Sequence, residues 1–303
     1  MGTLDNKVAV VTGAGRGIGR EVALALSREG ARIVVNDYGV TVNGTDPRSD
    51  VADAVVDEIR SIGGHAIAHQ GSVVDMVSAE DMVSTAVREF GDLDVLVCVA
   101  GILRERMIFN MTEDEWDSVI NVHLKGHFAP MHYATQHMRK QRKGRIISFT
   151  SAAGLEGNPG QANYAAAKAG IVGLAMSVAL GMGKYGVTSN VVCPVADTRM
   201  TADLEKTPAG KLIHRTSDRS PHHVGALVAF LASDLAAHIT GQIIEVEGRR
   251  LTRWSHFHPE RTMVRDDEDW TVEAIAQAYD RSLGIDRLRR FEKMGLIEPG
   301  TQG

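Results

Sequence analysis

At 303 residues, with 44% hydrophobic and 23% charged positions, the chain has the make-up of an ordinary globular protein, long enough for one α/β domain of about 250 residues with an appendage. Its formal charge of -5 excludes a general binder of nucleic acid or anionic membrane, which needs a basic excess. Two cysteines, Cys98 and Cys193, lie in no Cys-x-x-Cys pair and read as reduced thiols.

The N-terminus opens into a β-branched strand, Lys7–Thr12, with no charged-then-apolar leader before it. No uninterrupted apolar run approaches ~18 residues, so a cytoplasmic enzyme is expected. The strand runs directly into Thr12-Gly13-Ala14-Gly15-Arg16-Gly17-Ile18-Gly19, and a helix follows over Ile18–Glu29. Glycines between a first strand and a first helix permit a tight turn and close approach of a pyrophosphate to the helix amides. Gly13, Arg16, Gly17, Ile18 and Gly19 are therefore candidate cofactor contacts. The second strand, Arg32–Asn36, ends at Asp37, 18 residues beyond Gly19. A carboxylate there accepts both ribose hydroxyls of NAD and repels a 2′-phosphate. Arg16 is the competing signal, a basic residue able to meet that phosphate; the placed acid outweighs it, and NAD is expected.

Tyr38–Ser49, rich in Gly, Asn and Thr, reads as a surface loop. Helices and strands then alternate: helix Asp50–Ser61, strand His65–His69, helix Ala79–Phe90, strand Val95–Val99, helix Glu113–Arg139, strand Arg145–Phe149, helix Ala162–Tyr185, strand Ser189–Cys193, helix His222–Ala232 and strand Gln242–Val246. The pattern predicts a Rossmann-type doubly wound parallel sheet of seven strands with helices on both faces, over residues 1–248. Asp197–Pro221 follows a strand's C-terminal end, where open α/β sheets bind ligands; it is expected to be a substrate lid with a short helix near Met200–Glu205. Residues 249–303 carry Trp254 and Trp270, a helical stretch Val272–Ser282, and ten Arg/Lys against ten Asp/Glu. They read as an extension packing on the core or a subunit interface.

Tyr164 and Lys168 are four apart and share one helix face, while Ser151 follows the strand that ends at Phe149. Interconverting an alcohol and a ketone with nicotinamide needs one group to move the hydroxyl proton and another to orient the oxygen. A free tyrosine, with a pKa of ~10, is a poor base. An adjacent Lys168 ammonium and a positive nicotinamide are expected to lower it, with Ser151 bonding the substrate oxygen. His123 and His127, also four apart, lack an acidic or thiol partner, and no metal is expected.

The Thr12–Gly19 turn, Asn121, Ser151, Tyr164 and Lys168 together resemble the short-chain dehydrogenase/reductase pattern over about residues 5–248. The resemblance implies a proton relay through a helix kink at Asn121 and further cofactor contacts at Ser72, Val73, Ala100, Gly101, Pro194 and Thr198. Three segments depart from the family pattern: Cys98-Val99-Ala100-Gly101 stands for Asn-Asn-Ala-Gly, Ser72-Val73 replaces an adenine-binding aspartate, and Pro194-Val195 replaces Pro-Gly. Val34–Asp37 with its loop, and Asp197–Thr201, resemble the (3R)-hydroxyacyl-CoA dehydrogenase module of peroxisomal multifunctional enzymes and bacterial steroid-degradation dehydrogenases. That implies oxidation of a 3-hydroxyacyl-CoA or a steroid alcohol. Arg104, Arg106, Lys211 and Arg215 are candidates for the CoA phosphates, and Ile102, Leu103, Met107, Leu155 and Met200 for an apolar pocket. The competing functions are a 3-oxoacyl (acyl carrier protein) ketoreductase using NAD(P)H and a non-catalytic NAD-binding regulator. By the same resemblance, helices Glu113–Arg139 and Ala162–Tyr185 pair copies into a homodimer or homotetramer.

Overall fold

The computed structural model describes residues 2–48, 50–197, 219–264 and 269–283. Contacts divide the chain into one unit over Met1–Trp254 and a second over Ser255–Gly303. In the first, one eight-stranded sheet has the order β3-β2-β1-β4-β5-β6-β7-β8. Its strands are β1 (Val8–Thr12), β2 (Arg32–Asn36), β3 (His65–His69), β4 (Val95–Cys98), β5 (Gly144–Phe149), β6 (Val187–Val195), β7 (Ile243–Glu247) and β8 (Arg250–Arg253). The first seven run parallel, as expected. β8 is an added antiparallel edge strand inside the residues read as extension.

Every residue of β1, β4 and β5 is buried, which is why β1 and β4 read as nearly continuous apolar runs. Their side chains alternate between two cores. Ala9, Val11, Ile33, Val35, Val95 and Val97 pack on α1 (Gly17–Arg28), α2 (Asp50–Ser61) and α8 (His222–Ala232) through Leu24, Ile59 and Val228. Val8, Val10, Val34, Leu96 and Cys98 face α3 (Met76–Phe90) and α5 (Gly126–Gln141) through Met82, Met131 and Met138. A buried joint ties β1 to β4: Asp94, 5% exposed, accepts the Val8 amide at 2.9 Å and the Lys143 ammonium at 2.8 Å.

Local chemistry explains where boundaries depart from expectation. α3 starts three residues early because the Asp75 carboxylate caps the Val77 and Ser78 amides. α4 (Glu113–Ile120) begins in a capping box between Thr112 and Glu115. The single helix expected over Glu113–Arg139 is divided by a π turn at Asn121–Lys125. A short α6 (Ala152–Glu156), capped by the Ser151 hydroxyl on the Ala153 amide, follows β5. α7 (Ala162–Met182) packs on β6, α4 and α6. With the turn to Tyr185 it is long and apolar enough to cross a membrane by length and composition, more apolar than its broken sequence pattern suggested. In the second unit, the Thr271 hydroxyl caps α9 (Val272–Ser282) by accepting from the Ala274 amide.

Candidate active site

Strand order reverses between β1 and β4, so their C-terminal ends splay and leave a crevice. A cleft of about 440 Å³ opens there. The glycine turn forms one wall. Gly13 and Gly17 have φ of +64° and +54°, and a Cβ on Gly13 would lie 2.6 Å from Ala100 Cα. A Cβ on Gly19 would lie 2.0 Å from the Gly13 carbonyl oxygen. The Thr12 hydroxyl accepts the Val99 and Ala100 amides, holding the β1 and β4 ends together. Arg16 at the N-cap of α1 places no side chain on the first-turn amides, which leaves them open to an anion. These features fit the phosphates of a dinucleotide.

Asp37 faces the same cleft. Its carboxylate accepts the Gly15 amide at 2.8 Å and the Gly39 amide at 2.7 Å. It therefore braces the glycine turn and its own loop while each oxygen retains a further lone pair. Arg16, Gly17, Ile18, Gly19, Ser72, Val73, Ala100, Gly101 and Pro194 also line the cleft. Thr198, Met200, Lys211 and Arg215, and the helix expected near Met200–Glu205, lie outside the described residues.

Asn121, Tyr164 and Lys168 line the same cleft. Lys168 is 4% exposed; its ammonium donates to the Phe149 carbonyl at 2.8 Å and lies 5.5 Å from the Tyr164 ring centre. Ser151 is not part of the cleft lining, but its hydroxyl hydrogen-bonds Tyr164. Asn163 anchors the start of α7 by donating to the Arg104 and Glu115 carbonyls. The π turn sets Asn121 on the cleft wall; such turns recur at functional sites.

Burial dominates the electrostatics of the Tyr164–Lys168 pair. Burial pushes the Tyr164 phenol up to about 12, with the Ser151 hydrogen bond pulling the other way. Burial likewise drives Lys168 down to about 7. The lowering expected of Lys168 together with a bound nicotinamide ring is opposed by burial, which acts on the phenol in the other direction. His127 is pushed down to about 3 and His123 well below the usual imidazole range, each by burial first and the Lys168 charge second. Both bond backbone: His127 Nδ1 the His123 carbonyl, and His123 Nε2 the Ile102 amide.

Sequence reasoning missed much of the wall. Tyr38, Val40, Thr41 and Gly44 line the cleft, so the segment expected to be a surface loop is part of the site. Two bonds hold it there: Val42 accepts the Leu103 amide at 2.9 Å, and Asn43 accepts the Arg104 guanidinium at 3.1 Å. Arg104 lines the cleft but also pairs with Asp114 at 2.7 Å, and Arg106 pairs with Glu115, so neither charge is unspent. Ile102 is in the lining, whereas Leu155 packs on the Val172–Val191 core. Leu103 and Met107 are not among the lining residues.

The sequence profile of the short chain dehydrogenases matches residues 7–209. Hydroxyacyl-CoA dehydrogenase ChsB1 of Mycobacterium tuberculosis is 41% identical, over 97% of this chain and 94% of that protein. A 3-oxoacyl-[acyl-carrier-protein] reductase of Synechocystis is 42% identical, over 82% of this chain and 98% of its own. The crystal structure of a short chain dehydrogenase from Mycobacterium avium superposes with a TM-score of 0.82 at 43% identity, covering 94% of this chain and 97% of that one. With the glycine turn and the Tyr164–Lys168 pair opening on one cleft, these similarities establish that the chain belongs to the short-chain dehydrogenase family, as an oxidoreductase that takes a nicotinamide cofactor.

Proposed function

We propose that this enzyme is an NAD-dependent dehydrogenase interconverting a secondary alcohol and its ketone, with a 3-hydroxyacyl-CoA or steroid-type alcohol as substrate. The observation that carries the reading is that Tyr164, Lys168 and Asn121 line the same cleft as Asp37 and the glycine turn. A bound nicotinamide cofactor would supply the hydride acceptor or donor, and in its oxidised form a positive ring. Tyr164 moves the hydroxyl proton, Ser151 orients the substrate oxygen and the phenol together, and Lys168 supplies charge behind the phenol. Asn121 connects this group toward solvent as a relay. Asp37 supports NAD over NADP because its charge opposes a 2′-phosphate.

The substrate class rests on likeness to the hydroxyacyl-CoA dehydrogenase, which nearly matches this chain in length. Likeness to the acyl-carrier-protein reductase favours the reverse reaction on a 3-oxoacyl group as the second reading. Assaying 3-hydroxyacyl-CoA, steroid alcohols and 3-oxoacyl thioesters with each dinucleotide separates them. Turnover of a hydroxyacyl-CoA or steroid alcohol with NAD is expected; activity confined to 3-oxoacyl reduction with NADPH would overturn the proposal.

We also propose self-association through α4–α5 and α7. Over its most apolar 18-residue window the helix Ala162–Tyr185 has a mean hydropathy of 1.6, yet only 33% of that window is buried, and Leu180 is 87% exposed. An apolar face of this extent favours a covering partner, here a second copy. Light scattering is expected to give a dimeric or tetrameric mass, and a monomer at micromolar concentration would exclude it.

A further inference from the structure

The π turn carries one group into the cleft that the chemistry above does not use. His123 is 1% exposed, lies two residues after Asn121 and lines the cleft. Its ring stands edge-on to Tyr164, with centroids 5.0 Å apart and planes at 88°. Nε2 lies 2.8 Å from the Ile102 carbonyl oxygen and 3.1 Å from the Ile102 nitrogen. The Ile102 amide donates to Nε2, which therefore carries the lone pair, and the ring proton sits on Nδ1. That Nδ1 is buried and has no hydrogen-bond partner among the described residues. Gly101 closes another side: a Cβ there would lie 2.3 Å from His123 Cε1. The ring is thus held by the Ile102 backbone, by Gly101 and by the phenol itself.

We propose that His123 is a positioning residue for Tyr164, a neutral wedge between the Ile102 backbone and the phenol that fixes the orientation of the ring. The inference rests on Tyr164 being the acid–base group. The titratable groups facing His123 are Tyr164 and Lys168 on α7 and His127 on α5. Burial and the Lys168 charge keep the imidazole neutral, so it adds no charge and a second cation does not compete with Lys168. Without the ring, the phenol gains freedom to tilt away from Ser151, whose hydrogen bond favours the phenolate.

The test titrates Tyr164 directly, as the ultraviolet tyrosinate difference between each protein and its Tyr164→Phe counterpart, alongside kcat, KM and melting temperature. His123→Leu is expected to move the Tyr164 midpoint upward by about half a pH unit or more. It is also expected to lower kcat about tenfold while the KM for NAD stays within about twofold. His123→Gln, which keeps a polar partner for the Ile102 backbone, is expected to show about half of each effect. Should His123→Leu fail to fold, the His123→Gln midpoint decides. An unmoved midpoint in the folded variant, or a kcat loss that only tracks the melting temperature, overturns the proposal. If Tyr164→Phe retains full turnover, the acid–base reading falls and takes the positioning role with it. An inactive Tyr164→Phe beside an indifferent His123 variant sinks the positioning role alone.

Discussion

Replacing Tyr164 with phenylalanine lowers kcat about a thousandfold, within the range that general acid–base groups contribute, while NAD binding stays within about threefold. The substitution deletes only the hydroxyl that meets Ser151 and leaves the ring between His123 and Lys168. The pH dependence of the intact enzyme follows from burial. Because the phenol is pushed upward and Lys168 downward, the protonated phenol predominates at neutral pH, ready to give a proton to a ketone. Alcohol oxidation needs the deprotonated form, so its kcat rises with pH from neutrality upward, and ketone reduction does not share that rise. Initial rates in both directions between pH 6 and 10, with any residual rate of Tyr164→Phe, check the sign. An oxidation rate that falls as pH rises, or a Tyr164→Phe rate within tenfold of the parent, would falsify Tyr164 as the base.

Asp37→Asn has the second largest expected effect, on cofactor choice. The carboxylate holds the Gly15 and Gly39 amides, and asparagine keeps one oxygen for these bonds while losing the charge. Hydrogen bonds to charged groups contribute about 1.5–3 kcal/mol, so NAD affinity is expected to fall by at least about tenfold. NADP gains, since repulsion of its 2′-phosphate is gone and Arg16 lines the same cleft. The NAD-to-NADP ratio of kcat/KM is expected to drop by about a hundredfold. A ratio unchanged within threefold would show that Asp37 serves only its backbone partners.

Much of this architecture was legible from the chain because its signals are local. Seven β-branched runs announced seven strands, and the glycine turn and the Tyr164–Lys168 spacing are each contained within a few residues. Elements with no local signal went unread. β8, Arg-Leu-Thr-Arg, is exposed throughout, so it carries no buried alternation, and its place depends on pairing with β7. The π turn at Asn121–Lys125 contains no Gly or Pro and looks like uninterrupted helix; only the family resemblance pointed to a kink. The wall formed by Tyr38–Gly44 depends on bonds to Leu103 and Arg104, some sixty residues away in sequence, which periodicity does not register. Tyr164's upward shift is likewise a matter of depth, and depth is set by how α4, α7 and β5 pack rather than by the neighbours in sequence.

The tie between Val42–Asn43 and Leu103–Arg104 has a consequence for engineering. Dinucleotide preference in a doubly wound enzyme is commonly recast by exchanging the segment after the second strand. Here that segment also grips the exit of β4, from which the Arg104 carbonyl accepts Asn163 at the start of the Tyr164 helix. A transplanted segment of another length would cut that grip and disturb proton transfer as well as cofactor choice. A workable graft therefore exchanges residues 38–48 and 102–106 as a pair.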